Sequence, residues 1–208
     1  MEDGIAQIRN YIMSLSAKVK TAFEILAPVF DVNAAVPSLV VDQNDKHPVC
    51  YDPKRKLIFM RSDIQDGLTS EYAVGEEVGH YLHHALNPEA FAYKERLFER
   101  RHQGTSVQVE LALYDNYIEC VGNYAGLVVV GRLFPAEAKQ FAENMVRKAT
   151  KITRNNRMPE YQEITHAMGY LHGALNFIVH GETKLAAIAR FTPKEGLLML
   201  QGKLMGQY

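Results

Sequence analysis

Cysteine is scarce: Cys50 and Cys120 are the two thiols in 208 residues, and they lie far apart in the chain. That excludes a disulfide scaffold and fits a reducing, cytoplasmic setting, with each thiol acting as a small buried hydrophobe. An excess of either charge is lacking too. The net charge is −1, so no global field draws the chain to nucleic acid or to a membrane surface. The basic cluster Arg147, Lys148, Lys151, Arg154 and Arg157 has no interleaved aromatics that would stack on bases. It reads instead as a helix C-terminus whose cations match the helix dipole. The opening residues Met1-Glu2-Asp3-Gly4 lack the basic start and apolar run of a signal peptide. No stretch has the uncharged length of a membrane span: Leu127–Val130 is apolar but is soon followed by Arg132 and Pro135.

The remaining composition, 47% hydrophobic and 23% charged, is that of a chain able to bury one good core. Residues 1–208 are expected to form a single α+β domain, mostly helical. Its parts are an N-terminal helix (1–30), a sheet with two site-bearing helices (31–135) and a C-terminal helical extension (136–208). Ile5, Ile8, Ile12, Leu15, Val19, Ala22 and Leu26 make one apolar stripe, so residues 3–27 read as a helix that Pro28 ends. Three short runs, Ser38–Val41, Val49–Tyr51 and Leu57–Met60, are separated by Asn44-Asp45-Lys46 and Asp52-Pro53-Lys54-Arg55. They read as a small meander near residues 38–60. A helix capped by Thr69 or Ser70 runs to Asn87, with Val74, Val78, Tyr81, Leu82 and Ala85 facing inward. The segment around Lys94–Arg101 reads as an exposed charged helix, and residues 106–131 as a long buried one. Pro135 opens a helix to about Thr153, and Pro159 another through His180. Segments 182–190 and 194–205 are shorter helices. The apolar last segment, 193–208, is a packed terminal helix, a plug for a groove or a homodimer contact.

The chemistry is concentrated in Glu76-Glu77-Val78-Gly79-His80. Residues four apart share a helix face, so Glu76 and His80 can grip one ion, and Glu77, one step round, can point at a water held by it. A third ligand is needed. Glu119 sits in an otherwise apolar helix, where an unpaired carboxylate is costly and a cation removes the cost. Asn123, one turn on, can orient Glu119 or His80. Glu110 is nine residues back and points the opposite way. His84 is an alternative ligand, four residues beyond His80. Gly75 and Gly79 each weaken this helix by about 1 kcal/mol relative to Ala, which signals close approach of another backbone or of a ligand. Tyr72, Tyr114 and Tyr117 are core tyrosines or oxyanion donors.

Residues 57–126 resemble the ImmA/IrrE-like metallopeptidases of the gluzincin type. The resemblance lies in the apolar run Leu57–Met60, in Glu76-Glu-Val-Gly-His-Tyr-Leu-His-His84, in Glu119-x-x-x-Asn123 and in the small residues Gly122, Ala125 and Gly126. It covers about a third of the chain. It implies a short mixed sheet beside an active-site helix and a glutamate helix. It also implies a zinc-dependent peptidase acting on a peptide or protein, with Glu77 as general base and His80 and Glu119 as ligands. The departure is Glu76, where the family has His. The altered EExxH set is harder and more anionic, which admits manganese or iron beside zinc. A catalytically degenerate relative serving as a binding or regulatory module is the alternative. A second enzyme reading uses the twin pair Glu163-x-x-His166. With Glu24, Glu77, His80 and Glu119 it would make a di-iron carboxylate bundle, although the strands at 38–60 argue against a plain bundle. Glu119→Ala is expected to abolish metal binding while Glu110→Ala leaves it intact. Equal metal content in the two variants by elemental analysis would remove Glu119 from the ligand set.

Overall fold

The structure is a computed structural model that describes residues 2–42, 48–154 and 161–200, with side chains for 13–42, 48–153 and 167–199. Helix α1 spans Glu2–Phe30. Leu15, Val19, Ala22, Leu26 and Phe30 are buried along one stripe, while the side chains of Ile5, Ile8 and Ile12 lie outside the described residues. Pro28 does not end the helix; it sits inside the last turn. The end is a left-handed cap. Asp31 has φ 53°, its N–H donates to Pro28 O, and the Val32 N–H donates to Ala27 O. These are the paired bonds of a Schellman close.

The three strands fall where the apolar runs place them: β1 Ser38–Val41, β2 Val49–Asp52 and β3 Leu57–Met60. They are not a meander. The order is β1-β3-β2, with β1 parallel to β3 and β2 antiparallel to it. The most apolar run takes the centre, burying Ile58 and Met60. The runs entered through Pro37 and Pro48 take the edges, where a missing N–H does least harm. The turn into β3 is built on Asp52, whose Oδ1 accepts from the Lys54 and Arg55 N–H groups at 2.8 and 3.1 Å. The Asn44–Lys46 turn lies outside the described residues.

Helix α2 is Leu68–Leu86, capped by Gly67 rather than by Thr69 or Ser70. Gly67 has φ 143°, a conformation side chains rarely adopt, and the Ser70 hydroxyl turns back to donate to Gly67 O. Val74, Val78 and Leu82 are buried as expected, but Tyr81 is half-buried and Ala85 exposed. Asn87 closes α2 and caps α3, Pro88–Glu99. That helix is not wholly exposed: Ala90 and Leu97 are buried, and Lys94 turns inward. A 3₁₀ turn, Arg101–Gln103, leads into α4, Thr105–Leu133, which buries Val107, Leu111, Tyr114, Ile118, Val121 and Ala125. The remaining helices are α5 Pro135–Arg154, α6 Tyr161–His180, α7 Leu185–Ala189 and α8 Pro193–Leu200. Positions 201–208, including Leu204 and Met205, and positions 155–160 lie outside the described residues. No helix among the described residues is long and apolar enough to cross a membrane.

α4 is the axis of a mostly helical α+β fold, with α2 on one flank and α6 on another. One apolar core reaches from Leu15 to Met199. The glycines show how α2 gets so near. A Cβ on Gly75 would meet Val129 at 2.8 Å and the Gly126 Cα at 3.0 Å, and one on Gly79 would overlap the Ala125 Cβ. Close backbone approach is therefore the reason for both glycines. Gly79→Ala improves helix propensity but forces two backbones apart, so it is expected to destabilise by about 1–3 kcal/mol. Adding Ala125→Gly should recover most of the loss in urea unfolding; no recovery would mean that the contact is not what limits this position.

Candidate metal centre

The α2–α4 contact brings three ligand groups together. Glu76 and His80 share one face of α2, and Glu119 comes across from α4. One ligand atom from each lies within 4.8 Å of the others, and His80 Nε2 is 3.9 Å from Glu119 Oε2. Glu76 and His80 are 8% and 7% exposed, so the cluster is nearly out of water. α4 makes room for the imidazole at Gly122, where a Cβ would overlap the His80 ring. Across the site, α6 rests on Glu119 at Gly169, where again a Cβ would overlap. Each seat is a missing side chain.

Glu77, beside the cluster, also reaches the sheet. Its Oε2 accepts from the Tyr51 N–H, at the edge of β2, at 2.8 Å. Burial pushes its carboxyl up to about 8, with the Glu119 charge adding and the Tyr51 N–H and Lys94 opposing. Glu76 is also held well above the usual carboxylate range, by burial first and then by Glu77 and Glu119; hydrogen bonds from Tyr72 and Asn123 work against the shift. A divalent cation fits this donor set. It would supply the charge that relieves the repulsion between the carboxylates, and imidazole nitrogen and carboxylate oxygen are both ligand types that divalent metals take.

Asn123 lies between the two helices of the site. Its Nδ2 donates to the Glu119 backbone O at 2.7 Å, its Oδ1 accepts from the Tyr72 hydroxyl, and it hydrogen-bonds Glu76. His84 is not brought to the cluster. Its Nδ1 pairs with the Tyr51 hydroxyl at 2.8 Å, and its ring stacks on Phe91 with centroids 4.4 Å apart. His83 is fully buried against Phe91 and Tyr117, and burial pushes it down to about 3. Tyr114 and Tyr117 are core tyrosines. The Tyr117 hydroxyl donates to Ile188 O at 2.9 Å.

The di-iron set is not assembled through α1. Glu24 is exposed beside Lys20, because the stripe of Ala22 and Leu26 turns it to the far side. The side chains of Glu163 and His166 lie outside the described residues. Glu110 accepts from the Tyr93 hydroxyl, away from the cluster.

Three residues facing the site were missed. Lys94 pairs with Asp115, one turn before Glu119. Burial disfavours its ammonium, but Asp115, then Glu119 and Glu77, outweigh that and raise its pKa. Tyr170 follows Gly169 on α6, and its hydroxyl feels Glu76, Glu119 and Glu77. Tyr51 holds Glu77 through a backbone N–H, which has no sequence signal. For Tyr170 the signal was a glycine inside a helix. No protein-family model, curated protein or solved structure matches the chain.

The acid–base balance gives a sign for stability. In the metal-free chain Glu77 binds its proton up to about pH 8, against 4.5 for an ordinary glutamate. Between those values the folded state holds this proton and the unfolded one does not, so the contribution of Glu77 to stability falls as pH rises. Buried His83, held at about 3, pulls the other way below its ordinary 6.5, so chelator-treated protein should melt at progressively lower temperature from about pH 6.5 to about pH 8, and Glu77→Gln should make the slope shallower. A melting temperature that climbs across this window would contradict the burial of these carboxylates.

Proposed function

We propose that the chain is a metal-dependent peptidase of the ImmA/IrrE type with an altered EExxH centre, in which Glu76, His80 and Glu119 hold the ion and Glu77 is the general base. The observation that carries this reading is the convergence of those three ligand groups with a fourth carboxylate beside them on the same helix, held by a backbone N–H. The ion is zinc, or one of the harder ions manganese and iron that two carboxylates also suit. When bound, it supplies a Lewis acid that polarises a carbonyl and acidifies water.

The chain's own residues supply the rest. Glu77 takes the proton of the attacking water. The Tyr51 N–H fixes one of its oxygens and leaves the other for the proton, and an affinity for protons near neutrality is what a general base needs. Asn123 and Tyr72 set the angle of Glu76. Lys94 tempers the charge around Glu119. The substrate is a peptide or protein. Cys50 and Cys120, which form no disulfide, suit a cytoplasmic location.

A second reading is favoured by enclosure. With Glu76 and His80 nearly buried and α6 resting on Glu119, a degenerate relative that uses the centre to hold a binding surface fits as well. The variants discriminate. Glu77→Gln should keep the metal and lower peptide hydrolysis by about 10²–10⁴-fold, whereas Glu76→Gln should lose the metal. One ion per chain is expected, against two irons for a di-iron bundle. Metal lost from Glu77→Gln and retained by Glu76→Gln would overturn the assignment. Full metal with no hydrolysis of any peptide by the unaltered chain would select the binding module.

A further inference from the structure

We infer that Tyr72 is a positioning residue for Glu76, so that the glutamate in the first ligand place is a supported ligand and not the remnant of a lost histidine. The inference rests on the metal-centre reading above. Tyr72 stands one turn before Glu76 on α2, and the two side chains share a face. Its hydroxyl reaches both Glu76 and Asn123. A tyrosine hydroxyl rotates freely and both donates and accepts, so it can turn its proton to whichever oxygen needs it. Asn123 completes the arrangement: one amide hydrogen goes to Glu119 O at 2.7 Å and the other is available to Glu76. A carboxylate at position 76 therefore has two hydrogen-bonding groups beside it, the Asn123 amide and a Tyr72 hydroxyl whose proton is shared between Asn123 Oδ1 and Glu76, one from each of the helices that carry the ligands.

The fold makes room for this tyrosine. A Cβ on Gly126 would lie 2.7 Å from the Tyr72 carbonyl oxygen and 2.9 Å from its ring. Gly122, one turn away on α4, does the same for the His80 ring. α4 thus carries one seat for a ligand and one for the residue that aims another ligand. The ring is 7% exposed and meets Phe141 of α5 edge-on, with centroids 5.4 Å apart, so it has little freedom to leave. Hydroxyl donors suit a carboxylate ligand, whose second oxygen carries negative charge that a donor can hold.

The test is the affinity of the full chain for zinc and for manganese, measured by competition with a chromophoric chelator. Tyr72→Phe removes only the hydroxyl and should weaken binding by about 10–100-fold. Asn123→Ala, which removes the other donor, should give a loss of the same order and serves if Tyr72→Phe does not fold. Tyr114→Phe deletes a buried hydroxyl elsewhere on α4 and should leave affinity within about threefold, inside the lower limit expected of an outer-shell partner. Unchanged affinity in Tyr72→Phe, or an equal loss in Tyr114→Phe, overturns the assignment while leaving the metal centre standing. An unaltered chain that binds neither ion overturns the metal centre itself, and this inference with it.

Discussion

The close approach of α2 to α4 is the contact on which the rest depends. Two helices normally keep 8–10 Å between their axes because side chains hold them apart. Here Gly75 and Gly79 on one helix face Gly126, Val129 and Ala125 on the other. Removing side chains from the interface lets carboxylates and imidazole from opposite helices meet over one point. The same absence leaves little slack, since a methyl group in the wrong place has nowhere to go.

Charge is the opposing force. Glu76, Glu77 and Glu119 are crowded into a region that water barely reaches, and burial makes the ionised forms of Glu76 and Glu77 unfavourable. The fold meets this with aimed dipoles and one ammonium: the Tyr51 N–H on Glu77, Asn123 and Tyr72 on Glu76, and Lys94 bridging to Asp115 beside Glu119. Such local corrections make the site specific about where charge sits. They leave the protein less stable without a cation than a core of the same size built from apolar residues would be.

Much of this was legible in the sequence. The three strands could be read because each is a short apolar run between turn residues, and the buried face of α4 because its period is helical over many turns. The Glu76–His80–Glu119 cluster was legible because i,i+4 spacing on α2 fixes Glu76 with His80, and because a lone acid on an apolar helix needs an explanation. What failed needed information that is not local. Strand order depends on which run pairs on both edges, which no local pattern states, and the order is β1-β3-β2 rather than a meander. Pro28 could not be told from a terminator, because a proline in a final turn removes one hydrogen bond without forbidding the next residues. Lys94 sat in a charged run whose pattern does not say which lysine finds an aspartate on another helix. Tyr51 acts through its backbone, which every residue has.

Asn87 has a bearing on the order of assembly. Its side chain caps α3 and also donates to Ala189 O and Phe191 O, at 3.1 and 2.8 Å. Tyr117 reaches Ile188 in the same turn. The foot of the helix that carries Glu76 and His80 is thus clasped by residues about a hundred positions later, whereas the ligands themselves are separated by far less chain. Contacts of short separation form early and long loops close late. A growing chain can therefore bring its ligand groups into register before the clasp exists, and the clasp then holds in place a centre that is already drawn together.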